Sequence, residues 1–283
     1  MAKVDINVST KGSIPWTAKR EVTSTLSDCY RRFGDRSPYK VEVHVMNKGI
    51  TMRDFLKDEK FRLGINTSDE KGLVCSYDAW RGYPRIVVCL ENLVKFNKLA
   101  RLGAVRHGAA HSALHGALDY YIFTISENCQ QVGLIKGIDS TVLQQALYRL
   151  SVIVKDFEAT RFLVGHDYVD CQFAYALEWL QLSDDARSAW KLAKADRQAK
   201  FIYLVALLKP ILFTNPLLSL PRSKKISLEQ QVMLGRRVEE LVEHLGEAEQ
   251  NKLLQVASMI VAGLTEDTHK NVDFALRQAM SLA

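Results

Sequence analysis

Histidine recurs at every fourth position in Val105-Arg106-His107-Gly108-Ala109-Ala110-His111-Ser112-Ala113-Leu114-His115-Gly116, and no other stretch constrains the fold as strongly. On an α-helix, residues four apart are offset by about 40° around the axis and about 6 Å along it. The three rings therefore share one face. Across residues 93–123 the other faces carry apolar or small side chains, so this helix reads as buried and central, not as a surface helix. The chain has to build a core around it while giving every imidazole a partner.

The rest of the sequence supplies that core. With 283 residues, 47% hydrophobic and 25% charged, it is long enough for one large or two modest domains. The first ten residues read as a strand or a loose tail. Residues 15–34 form an amphipathic helix, with Val22, Leu26, Cys29, Tyr30 and Phe33 on one side and Gly34 as its stop. Residues 39–46 alternate polar and apolar, which is a strand with one buried face and His44 on the exposed phase. A short helix at 51–63 and a turn-rich stretch at 66–72 lead into two apolar runs, 73–77 and 85–90, expected as neighbouring strands. Beyond residue 93 the pattern is helical: 93–123, 138–163, 169–180, 184–208 after Ser183 as cap, 227–245, and two shorter helices. The three prolines at 210–221 mark the best internal break. The expected fold class is α+β, with a small mixed sheet and the histidine helix in an N-terminal half, residues 1–182, and a mainly α-helical half at 183–283.

Composition narrows the partners. The formal charge of +6 is modest, and basic residues are interspersed with acids except at Arg222-Ser223-Lys224-Lys225, which argues against nucleic acid. Cys29, Cys75, Cys89, Cys129 and Cys171 are scattered, odd in number and without a Cys-x-x-Cys pair, so they are expected reduced and buried. No apolar run reaches the roughly twenty residues that a membrane span requires, and the first residues lack a signal-peptide pattern. The expectation is a cytoplasmic protein without membrane contact.

His107 and His111 stand at the spacing that lets two imidazoles on one helix reach a single metal ion. Downstream, Lys155-Asp156-Phe157-Glu158-Ala159-Thr160-Arg161-Phe162-Leu163 provides acids on a second helix. Over residues 38–163 the chain resembles the zincin-fold zinc metallopeptidases of the gluzincin type, whose active-site helix carries His-Glu-x-x-His. The resemblance implies a zinc ion on His107, His111 and Asp156, with Glu158 as a fallback third ligand, and hydrolysis of a peptide or protein substrate by a water on the metal. It also places the family's edge strand, which aligns substrate, at residues 86–90.

One position departs from the pattern. Gly108 stands where the family has the glutamate that takes a proton from the water and delivers it to the leaving amine. Three readings are open: a pseudopeptidase that kept its fold, an enzyme using another acid such as Glu91, Asp119 or Glu127, or a variant that lost the glutamate. His115 lies about 12 Å along the axis from His107, too far to share its ion on a straight helix, and reads as a donor behind the ligands or a packed core residue. His166 falls in an interhelical turn, where capping or surface roles compete with a place near the metal. Tyr120 and Tyr121 could face an oxyanion or pack in the core, and Trp179 and Trp190 read as packing residues. His244 and His269 have no acid or cysteine at ligand spacing. A non-enzymatic helical interaction or scaffold protein, its histidine helix purely structural, is the alternative from a different functional class.

Overall fold

Alternating side chains make two extended segments before the first hundred residues are out. In the computed structural model, which describes residues 4–65, 72–181, 184–221 and 226–283, strand β1 (Asp5–Lys11) pairs in parallel with strand β2 (Lys40–Met46). Parallel neighbours need a crossover. Helix α1 (Trp16–Phe33) provides it, burying Val22, Leu26, Cys29, Tyr30 and Phe33 and ending at Gly34, whose φ of 60° is free of steric cost only in glycine. On β2, Val41, Val43 and Val45 are fully buried, whereas His44 faces the other side and its Nδ1 shares a hydrogen bond with Ser9 Oγ at 2.6 Å.

Helix α2 (Gly49–Arg62) leads to strands β3 (Cys75–Asp78) and β4 (Arg85–Cys89), and the sheet order is β1-β2-β4-β3. β4 runs parallel to β2 and antiparallel to β3, so the two apolar runs are neighbours, as expected. The edge position expected for residues 86–90 is corrected. All five residues of β4 are buried, as befits a strand paired on both sides, and the edge belongs to β3, whose Ser76 and Tyr77 are half-buried.

The helix expected over 93–123 comes in pieces. After the short α3 (Leu90–Leu93), the Asn97 side chain accepts a hydrogen bond from the Ala100 N–H and starts α4 (Lys98–Leu114); His115 ends it, and a 3-10 turn follows at Leu118–Tyr121. Then come α5 (Glu127–Ile135), α6 (Ser140–Gly165), α7 (Val169–Trp179), α8 (Asp184–Ala193), α9 (Arg197–Leu218), α10 (Leu228–Val242), α11 (Glu247–Gly263) and α12 (Thr268–Ala279). The architecture is α+β, with a small mixed sheet near the N-terminus and a mainly helical C-terminal half.

Two expectations fail in α8 and α9. The single helix expected at 184–208 is divided, because Asp196 accepts from the Ala199 N–H and caps a new helix there. α9 then runs through Pro210 and Pro216, so the expected break at 210–221 is absent within residues 210–218. A proline in a helix interior costs about 3 kcal/mol. Burial of Phe201, Leu204, Leu208, Leu212, Phe213 and Leu217, each worth roughly 1.5–3 kcal/mol, outweighs it. With a mean hydropathy of 1.7, α9 is also long and apolar enough to cross a membrane, contrary to expectation. More than half of that apolar window is buried, and α9 packs on α8, α10 and α11, as a core helix does.

The chain divides into two compact units, Met1–Tyr121 with Phe162–Tyr175, and Ile122–Arg161 with Ala176–Ala283. Residues 66–71 of the turn expected at 66–72, the boundary and cap expected at 182–183, and the basic cluster at 222–225 lie outside the described residues.

The first unit encloses a charged knot. Arg85, 2% exposed, donates to Glu59 at 2.6 Å through Nη1 and to Asp78 at 3.1 Å through Nη2, and Arg81 reaches Glu59 at 2.7 Å. Burial alone would raise the Glu59 carboxyl; the hydrogen bond and charge of Arg85, aided by Arg81, hold it below the usual range. That contribution to stability is whole above about pH 4.3 and is lost as acid protonates the carboxylate. Arg85→Leu strands two buried carboxylates, and urea denaturation at neutral pH is expected to show a loss of about 3–5 kcal/mol.

Candidate metal centre

Small residues along α4 let its neighbours approach its backbone. A Cβ on Gly103 would collide with the carbonyl oxygen of Cys171 and with Tyr175 Cβ on α7. A Cβ on Gly108 would sit 3.2 Å from Ile86 Cγ2 on β4 and 3.7 Å from Cys75 Sγ on β3. On a third side, Ser112 Oγ and Tyr30 OH of α1 share a hydrogen bond of 2.7 Å. Enclosed in this way, His107, His111 and His115 are each only 1% exposed.

The rings are arranged in a row. His107 Nε2 and His111 Nε2 lie 3.1 Å apart, and His111 Nδ1 faces His115 Nδ1 at 3.2 Å. Tyr77 of β3 stacks flat on His111, with centroids 3.5 Å apart and planes 13° from parallel. Tyr175 stands edge-on to His107 at 5.7 Å, and Tyr120 to His115 at 5.4 Å. Tyr120 therefore packs against the histidine row.

Asp156, on α6, is 2% exposed, and its Oδ2 lies 3.4 Å from Lys209 Nζ on α9. Lys209 in turn lies over the Trp179 ring, 4.4 Å from its centroid. His107 and His111 lie in the first compact unit and Asp156 in the second, all three buried. The two histidines singled out in the sequence are brought together within the first unit, and their facing Nε2 atoms could hold a metal ion.

Other candidates have different employment. Both carboxylate oxygens of Glu158 accept hydrogen bonds from α12, one from Thr268 Oγ1 at 2.8 Å and one from Asn271 Nδ2 at 2.7 Å. His166 Nδ1 bonds the Phe162 carbonyl at 2.8 Å, and its ring packs between Phe33 and Phe162 at 5.2 and 4.2 Å. Glu91 accepts from the Gly49 N–H at 2.8 Å and so caps α2. Asp119 lies in the 3-10 turn and Glu127 in the first turn of α5. His244 Nε2 is 2.6 Å from Tyr203 OH, beside Trp190, and burial lowers its basicity. His269 rests on Phe123 at 5.0 Å. All five cysteines are buried and unpaired as disulfides, and burial pushes the thiols of Cys29 and Cys75 up to about 12.

Sequence reasoning missed Tyr77, Tyr175 and Lys209. The two tyrosines carry no local signal, since only strand and helix packing bring them to α4. Lys209 did carry one: it is the sole charge between Phe201 and Leu218. Compared with models of protein families, with curated proteins and with solved structures, the chain gives no match.

The environment of Gly108 explains a residue that costs about 1 kcal/mol in a helix interior relative to alanine. Its missing side chain is what allows α4 to lie against Ile86. Gly108→Ala is expected to stay within about 1 kcal/mol of the parent, helix propensity offsetting a tight contact. Gly108→Glu drives a carboxylate toward the sheet and is expected to lose more than about 2 kcal/mol in denaturant unfolding.

Proposed function

We propose that the chain is a zinc-binding protein on a metallopeptidase-like scaffold, with His107 and His111 as ligands and peptide hydrolysis impaired or lost at position 108. The buried pair of imidazoles, whose Nε2 atoms face each other within the first unit, carries the reading. In a tetrahedral site with bonds of about 2.0–2.1 Å, two imidazole nitrogens stand about 3.3–3.4 Å apart. His107 and His111 Nε2 are 3.1 Å apart, so a shift of a few tenths of an ångström suits them to zinc. Imidazole nitrogen is also a common donor in zinc sites that leave a position open.

Zinc, when bound, would supply Lewis-acid polarisation of a carbonyl or a water. The chain's own residues set the limits of that chemistry. Position 108 presents no proton acceptor, and its surroundings on Ile86 and Cys75 are apolar. A peptide or protein ligand has a place to dock in this reading. β3 is an edge strand beside α4, and an extended segment can add to such an edge by backbone hydrogen bonding.

Elemental analysis of the 283-residue chain purified without chelator is expected to find about one zinc per chain. The His107→Ala, His111→Ala double variant should hold none, and chelator should lower the melting temperature of the parent alone. Equal metal content in the two proteins, or none in the parent, would sink the reading.

A further inference from the structure

The histidine row holds more than a ligand pair. His111 meets another histidine through each of its ring nitrogens, Nε2 toward His107 at 3.1 Å and Nδ1 toward His115 at 3.2 Å. Each contact needs one hydrogen between two nitrogens, and a neutral imidazole brings only one. His111 therefore donates on one side and accepts on the other. If the hydrogen sits on Nε2, His111 donates to His107 and that nitrogen is closed to a cation. If it sits on Nδ1, His111 donates to His115 and its Nε2 lone pair is turned toward His107, whose own Nε2 hydrogen a cation would displace.

We infer that His115 is a positioning residue: its Nδ1 accepts the His111 Nδ1–H and holds His111 in the tautomer that can ligate a cation through Nε2. The inference rests on the metal reading above. The backbone explains why a residue too distant to be a ligand can take this part. His115 is the residue at which α4 ends, with φ −126° and ψ 33°, outside the helical range. Its N–H still donates to the His111 carbonyl at 2.7 Å, so the departure from the helix re-aims the ring without detaching it. Tyr120, on the 3-10 turn just beyond, stands edge-on to the ring at 5.4 Å, and the residue is 1% exposed. The ring is held where its Nδ1 meets that of His111. Partners behind the ligand of this kind typically tune metal affinity by about 10–100-fold.

Zinc affinity of the 283-residue chain, read by competition with a chromophoric chelator, is the test. His115→Leu is expected to weaken binding about 10–100-fold. His115→Asn, whose Oδ1 offers an acceptor near the position of Nδ1, is expected to recover most of that loss, which a role in packing alone would not predict. Ring nitrogen NMR of the zinc-loaded parent should show His111 with its hydrogen on Nδ1, a readout that needs no variant to fold. Parent-like affinity in His115→Leu, equal losses in the Leu and Asn variants, or a His111 hydrogen on Nε2 would overturn the inference while the metal reading stands. A parent protein that takes up no zinc would overturn both.

Discussion

Close backbone packing of α4 is the constraint on which the first unit depends. Where Gly103 meets α7 and Gly108 meets β4, a single added carbon would crowd a neighbour. That proximity buries three imidazoles, and burial changes what they can be. An exposed histidine satisfies its nitrogens with water, whereas a buried one must find partners, and a polar group left without any costs a few kcal/mol. Here each histidine is the partner of the next, and the row ends among tyrosines.

The sheet follows from the same demand. β4 is covered throughout and offers Ile86 to α4, while the charge at its start is absorbed by Glu59 and Asp78 instead of water. The edge strand β3 contributes Tyr77, whose ring lies flat on His111. Sheet and helix therefore share the work: the sheet fixes the rings from the side, and the helical repeat fixes their spacing. Glycine at position 108 belongs to this packing.

How much of this was legible in the sequence depended on how local each signal was. The i, i+4 spacing of His107 and His111 is read directly, because a helix converts it into proximity without help from the fold. Strand β2 was legible for the same reason, its valines alternating over seven residues. Asp156 came only through a resemblance, since nothing local ties it to residues forty-five positions earlier. Tyr77 was invisible, for its stacking depends on which strand takes the sheet edge. The prolines of α9 misled because local rules weigh the lost hydrogen bond and not the apolar side chains that tertiary packing buries. Asp196 divided a helix that periodicity alone had run together, and its capping role was available in the sequence but competed with an unbroken apolar pattern.

The metal reading stands or falls on the imidazoles of His107 and His111 meeting at one cation. X-ray absorption at the zinc edge of the metal-loaded 283-residue chain reads the ligand set without altering any residue. Two imidazole nitrogens and oxygen donors are expected in the first coordination shell at about 2.0–2.2 Å, with no sulfur. A shell containing sulfur at about 2.3 Å, or one of oxygen alone without imidazole scattering, would contradict it.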